Sequence, residues 1–260
     1  MPDTVSQPGP IVRVLEGVGG FILGMLEFVG GLYWLLYEVI GWVWRSTVRH
    51  QFRFGRRAFI SQMVRVGVRS ISIVVLVSGS IGLILALQTA PSLEQFGQVD
   101  KVANLVGVAV FRELGPLIAA IVLTGFAGAS IAAELGTMVV GEEIEALESM
   151  GLNPVRFLVV PRVIASAISL VLLSVIADLS AVFAGGAIGI LQLGIPYEVY
   201  KDNTIEQLNS ADFLTGLFKA GIFGTILGLI ACRNGLRVSG GAAGVGKATT
   251  DTVVQTVVTV

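Results

Sequence analysis

The sequence predicts an all-α membrane protein: an N-terminal interfacial amphipathic helix, four clear transmembrane helices, and a fifth that is cut short. Three observations carry this reading. Of 260 residues, 54% are hydrophobic and 13% charged, against about 25% charged in a soluble domain. The apolar residues fall in runs near the length of about twenty that crosses a hydrocarbon core. Basic residues gather on one side of the resulting topology. The chain divides into a basic N-terminal part, 1–69, and a transmembrane part, 70–260.

Composition also excludes function classes. A net charge of -1 implies no nucleic-acid partner. One cysteine, Cys232, excludes an internal disulfide, and one histidine, His50, excludes a multi-histidine metal site. The N-terminus, MPDTVSQPGP, lacks the basic n-region of a cleavable signal peptide.

The first apolar segment spans 11–44. Glu16, Glu27 and Glu38 recur every eleven residues, close to three helical turns, so they share one stripe. A lipid-facing span would not carry such a stripe, whereas a helix lying in the interface would. Tyr33, Trp34, Tyr37, Trp42 and Trp44 supply headgroup anchors at its end. An interfacial or re-entrant element is expected; its length also permits a single tilted span. Arg45, Arg49, His50, Arg53, Arg56, Arg57, Arg65 and Arg69 follow, with no acid between Glu38 and Glu94. The positive-inside rule puts this stretch in the cytoplasm.

Spans are expected at about 70–90, within 102–135, at 163–193 and at 213–232. Outer loops join them at 91–101 and 195–212, where the basic residues are Lys101 and Lys201. Parity returns 136–162 and the segment after Cys232 to the cytoplasm. After Asp251 nine residues remain, too few to cross. Small residues recur every four positions at Gly125, Ala129 and Ala133, at Gly128, Ala132 and Gly136, and at Ala220, Gly224 and Gly228. Such rows let backbones approach, within one chain or across a homodimer.

The stretch GAAGVGKAT, 241–249, imitates a phosphate-binding loop. It fails because Ala248 stands where a Ser or Thr would hold magnesium, and no α/β domain surrounds it. A Gly-rich cytoplasmic connector is expected instead.

Residues 141–151 read as a short acidic helix between two spans. Glu142 and Glu143 suit a first turn. Ile144, Leu147 and Met150 make one face, and Glu145, Glu148 and Ser149 much of the other. Gly151 suits the C′ position, and Asn153-Pro154 ends the helix. Such a knob, tied to two spans, can transmit force from a soluble partner; a plain solvated surface helix is the alternative.

Inside the second span, FRELGP places Arg112 and Glu113 beside Gly115-Pro116, a helix break. Neighbours in sequence do not face each other on a helix, so each needs another partner. Arg112 suits a lipid phosphate, with Glu113 holding the geometry; a structural salt bridge between spans is the other reading. Glu134 and Lys219 read as structural, and Asp178, mid-span, as structural or on a pathway.

Three blocks together resemble the MlaE/YrbE family of ABC-transporter permeases: FRELGP, EEIEALESMGLNPVRFLVVPR, and GGAAGVGKATTDTVV. Their order and spacing match, and the likeness runs from about residue 70 to the end. The N-terminal element resembles that family's elbow helix. The departure is at the end, where the family has a fifth span. The resemblance implies a homodimeric permease in the bacterial inner membrane, with a plastid branch. It implies two cytoplasmic ATPase subunits docked on the coupling helix, through Glu142, Glu143, Ile144, Glu145, Leu147 and Glu148. It implies a periplasmic MCE-domain protein over the dimer and a lipid cargo, typically phospholipid, met by Arg112 and Glu113. No cofactor, catalytic residue or metal ligand is expected in this chain, because ATP is hydrolysed by the partner. Three rivals are weaker. A polar-solute permease needs more polar spans; a membrane enzyme needs paired carboxylates or a histidine at membrane depth; a scaffold leaves the acidic helix and Arg112-Glu113 unexplained.

Overall fold

The structure, a computed structural model, describes residues 10–48, 56–207 and 209–260, with side chains for 16–20, 22–46, 59–207 and 209–260. The N-terminal decapeptide apart from Pro10, and Arg49, His50 and Arg53, lie outside the described residues; so do the side chains of Arg56 and Arg57. Every regular element among the described residues is helical. Five stretches are long and apolar enough to cross a membrane: Glu16–Ser46, Phe59–Glu94, Val99–Val140, Val155–Leu191 and Ser210–Leu236.

Helix α1, Pro10–Val48, is the outlier among them. Its apolar window buries nothing, whereas that of Val155–Leu191 is 61% buried. Its apolar contacts with the bundle come from its second half, through Leu32, Leu35, Leu36, Val39, Trp42 and Val43. Glu27 accepts a 2.8 Å ion pair from Arg237, and the Arg156 guanidinium stands 5.5 Å from the Trp42 ring. Arg237 follows the last turn of one span and Arg156 precedes the first turn of another. Fifteen residues of α1, about 22 Å of helix, therefore bridge two span ends on the basic side. Glu27 of the acidic stripe is one of its anchors on the bundle.

Helix α2, Arg56–Val66, leads through a 3₁₀ turn, Val68–Ser70, into α3, Ile71–Glu94. The second span is one helical run in three parts: α4, Val102–Ala109; α5, Gly115–Leu123; and α6, Ala129–Val140. Two π-turns, Val110–Leu114 and Thr124–Gly128, separate them. The short α7, Glu143–Ser149, follows, then a π-turn over Val155–Val159 and the long α8, Val160–Leu191. Helices α3 and α8 form the centre of the bundle, joined by α10, Ser210–Leu236. Close approach needs small residues there: a side chain at Gly82 would strike the Ala181 backbone, and one at Gly224 the Ser166 and Ala167 backbone.

Two expectations are corrected. The segment 195–212, expected as an outer loop, is not a plain loop, because α9, Tyr197–Gln207, forms within it. Its Tyr200 is buried against Gly185, Gly186 and Gly189 of α8 and donates to the Val182 carbonyl at 3.4 Å. Burial pushes that phenol up to about 12. Likewise 241–249 is not a connector. Gly240 and Gly241 turn the chain at φ +84° and +68°, and α11, Gly241–Thr259, starts at once. The final helix therefore begins ten residues before Asp251 and spans about 28 Å. It packs back along α10 and α6, where Asn234 donates to Gln255 at 2.9 Å and Thr252 at 3.1 Å. Glycine there serves the turn and then close packing, with Gly136 of α6 facing Val238 and Val245.

Two of the three small-residue rows are consumed inside the chain. Gly128, Ala132 and Gly136 face α10 and α11; Ala220, Gly224 and Gly228 face α8. Gly125 has open space around it, and Ala129 and Ala133 are half-buried.

Candidate functional site

The end of the bundle away from α7 carries one charged cluster. Pro116 has no amide hydrogen, so the carbonyl of Arg112 loses its ordinary helical donor. The helix widens into the π-turn Val110–Leu114, and Lys219 Nζ of α10 reaches the Arg112 carbonyl at 3.4 Å. The same ammonium pairs with Glu113 Oε1 at 2.5 Å. Arg112 lies 3.9 Å from Glu113 and 4.0 Å from Asp212 of α10. Each of the FRELGP charges thus finds a partner on α10. Lys219, read as structural, joins them, and Asp212 was not singled out at all. No sequence signal links 112 to 212; packing brings α10 to the π-turn, with Gly216 against the Phe111 carbonyl and Phe213 against the Phe111 ring. Glu113 is firmly held. Arg112 is not: its side chain is 57% exposed and both its ion pairs are at the limit of contact. It is a guanidinium with donors to spare at the edge of an apolar bundle.

Asp178 lies behind this cluster. It is buried in α8, and its Oδ1 packs against Gly115, where a side chain would overlap it. That oxygen has no hydrogen-bond partner.

The end of the bundle near α7 carries a second set. Glu134 of α6 accepts Arg65 of α2 at 2.6 Å and Arg162 of α8 at 3.3 Å. Arg162, 5% exposed, also donates to the Leu158 carbonyl at 2.8 Å. Glu134 is indeed structural, but it is a three-helix junction and not merely an interfacial charge. Arg162 was missed because nothing in its sequence surroundings distinguishes it from a loop arginine.

Beyond that junction stands the acidic helix. The expected first turn is corrected: Glu142 is in the left-handed region, φ 57°, and only flanks α7, which begins at Glu143. Gly141 already ends α6, and the tight reversal between two helices forces that conformation on the next residue. The C-terminus is as expected. Gly151, φ +74°, donates to Glu148 at 2.9 Å and Leu152 donates to Leu147 at 3.0 Å, the paired bonds of a glycine-terminated helix. Asn153 caps the next segment by accepting Arg156 N–H at 3.2 Å. Ile144 and Leu147 are half-buried, and Glu143, Glu145 and Glu148 are exposed. Met150, assigned to the apolar face, is instead 65% exposed at the tip.

Comparison with known proteins gives the context of this geometry. The family profile described as Permease MlaE matches residues 59–260. A probable ABC transporter permease protein of Rickettsia felis is 38% identical over 196 residues, covering 75% of this chain and 76% of its own. A probable ABC transporter permease protein of Synechocystis is 35% identical over 217 residues, 81% of this chain and 80% of its own. The protein TRIGALACTOSYLDIACYLGLYCEROL 1, chloroplastic, of Arabidopsis thaliana is 32% identical over 202 residues, 78% of this chain and 58% of its own. A membrane-spanning bundle, an acidic helix held between two spans and a profile match over most of the length lead to one assignment: the chain belongs to the MlaE family of ABC-transporter permeases.

Proposed function

We propose that this permease moves lipid, with phospholipid as the cargo. The observation that carries the reading is Arg112, an exposed guanidinium with loose partners at a π-turn within an otherwise apolar span. A phosphate headgroup takes such a fork, and the acyl chains take the apolar surface beside it. Lys219 holds Glu113 away from Arg112 and so keeps the fork available. The name of the Arabidopsis relative is that of a galactolipid, which points to the same broad cargo class.

The working unit is a homodimer in the bacterial inner membrane, with the Arg-rich segment and α7 on the cytoplasmic side. Two ATPase subunits dock on α7, through Glu142, Glu143, Glu145 and Glu148 outside and Ile144 and Leu147 beneath. An MCE-domain protein covers the outer face and exchanges lipid with the dimer. ATP is hydrolysed in the partner chain, and this chain carries neither cofactor nor metal. The test is Arg112→Ala in the assembled complex. Transfer of fluorescent phospholipid should be abolished while the ATPase still co-purifies. Undiminished transfer would refute the role of Arg112.

A further inference from the structure

Helices α6 and α8 are the two stems of α7, yet they barely pack on each other. Helix α6 leans on α10 and α11, and α8 on α3, α10 and α2. The direct link between the stems is the ion pair of Glu134 with Arg162. It lies nine residues before Glu143 and thirteen after Ser149. Arg162 also holds the Leu158 carbonyl in the π-turn that returns from α7. Arg65 joins from the other side and ties α2 to the same carboxylate.

We propose that Arg65, Glu134 and Arg162 form a relay that positions the stems and passes movement of α7 to the spans. The proposal rests on α7 being where the ATPase acts. Sliding one stem past the other by a helical turn, about 5.4 Å, would pull Glu134 off Arg162. Arg162 is 5% exposed and would be left as a buried, unpaired charge, which is strongly disfavoured. The stems are therefore held in register. A displacement of α7 must move both together, and α2 with them. None of the three need touch cargo; they are positioning residues.

The experiment uses the complex with its ATPase in vesicles of phosphatidylcholine and phosphatidylglycerol. ATP hydrolysis and transfer of fluorescent phospholipid are measured side by side. Glu134→Gln should keep hydrolysis near the wild-type rate while phospholipid moved per ATP falls roughly tenfold, within the usual range of site-to-site coupling. Glu134→Asp, which keeps the charge, should recover most of the ratio. An unchanged ratio in Glu134→Gln overturns the proposal. If Glu134→Gln does not assemble, Arg162→Lys replaces it, with the same fall expected and a wild-type ratio again fatal. A second readout is independent of cargo. A bimane on Leu191→Cys, at the exposed outer end of α8, in a Cys232→Ala background should respond to vanadate trapping. The response should vanish with Glu134→Gln; a response of wild-type size there overturns the relay. If the intact complex moves no phospholipid yet the probe responds, the cargo reading fails and the relay stands.

Discussion

The molecule holds two charge clusters on one helical run, and they are built in opposite ways. At the π-turn Val110–Leu114, Arg112 meets its acids at 3.9 and 4.0 Å and is 57% exposed. Nearer α7, Glu134 is gripped at 2.6 and 3.3 Å and its partner Arg162 is 5% exposed. The first arrangement leaves donors free for a ligand. The second spends every strong contact on holding helices. Charge within a span is costly wherever it occurs, so both clusters must be compensated. What differs is how closely another part of the chain supplies that compensation.

This contrast breaks first on stability. Glu134→Ala strands Arg162 in the core and should destabilise the detergent-solubilised protein by about 3–5 kcal/mol. Arg112→Ala removes a half-exposed group and should cost about 1 kcal/mol or less. Thermal unfolding of both variants in one detergent decides it. Equal losses would mean that Arg112 is as structural as Arg162.

The sequence showed one cluster more clearly than the other, for physical reasons. FRELGP stands out because charge beside Gly-Pro inside an apolar run is anomalous on its own. Glu134 and Arg162 each lie near the end of a span, where charge is ordinary, and only folding brings them together across 28 residues. The spans themselves were legible because length and apolarity are local properties. Helix α9 was not, because YEVYKDNTIEQ has neither an apolar face nor a strong cap, and Tyr200 alone anchors it on the glycines of α8. Helix α11 looks like a connector in sequence because Gly and Thr are weak helix formers in water and outnumber Ala there. In the bundle those small residues admit α6 and α10 at close range, and packing overrides propensity. Glu142 was misplaced by one residue because helix boundaries turn on backbone reversals that composition does not record.

A finer test concerns Lys219. It holds Glu113 at 2.5 Å, while Arg112 stays 3.9 Å from the same carboxylate oxygen. Lys219→Met should release Glu113 to pair with Arg112 and close the fork. Stability should change by less than about 1 kcal/mol, because both partners are partly exposed. Phospholipid transfer should nevertheless fall severalfold, with ATPase docking intact. Adding Glu113→Gln should restore part of the transfer, since the neutral amide competes less well for Arg112. Failure of that rescue would show that Lys219 meets the cargo directly.

The smallest effect expected is at Gly151, and it separates rigidity of α7 from the relay beneath it. Gly151 takes φ +74° with open space around its α-carbon. Alanine would meet no clash there, so the cost is purely conformational, about 1 kcal/mol. That cost falls on the last turn of α7, whose closing bonds to Glu148 and Leu147 depend on the left-handed residue. Overall unfolding should barely shift, because no residue of α7 is buried. Binding of the ATPase subunit should weaken by at most about fivefold, the factor that 1 kcal/mol represents. The phospholipid moved per ATP should stay at the wild-type value, since the relay is intact. A lowered ratio would place force transmission in α7 itself and remove the distinction between docking at the tip and coupling through the stems.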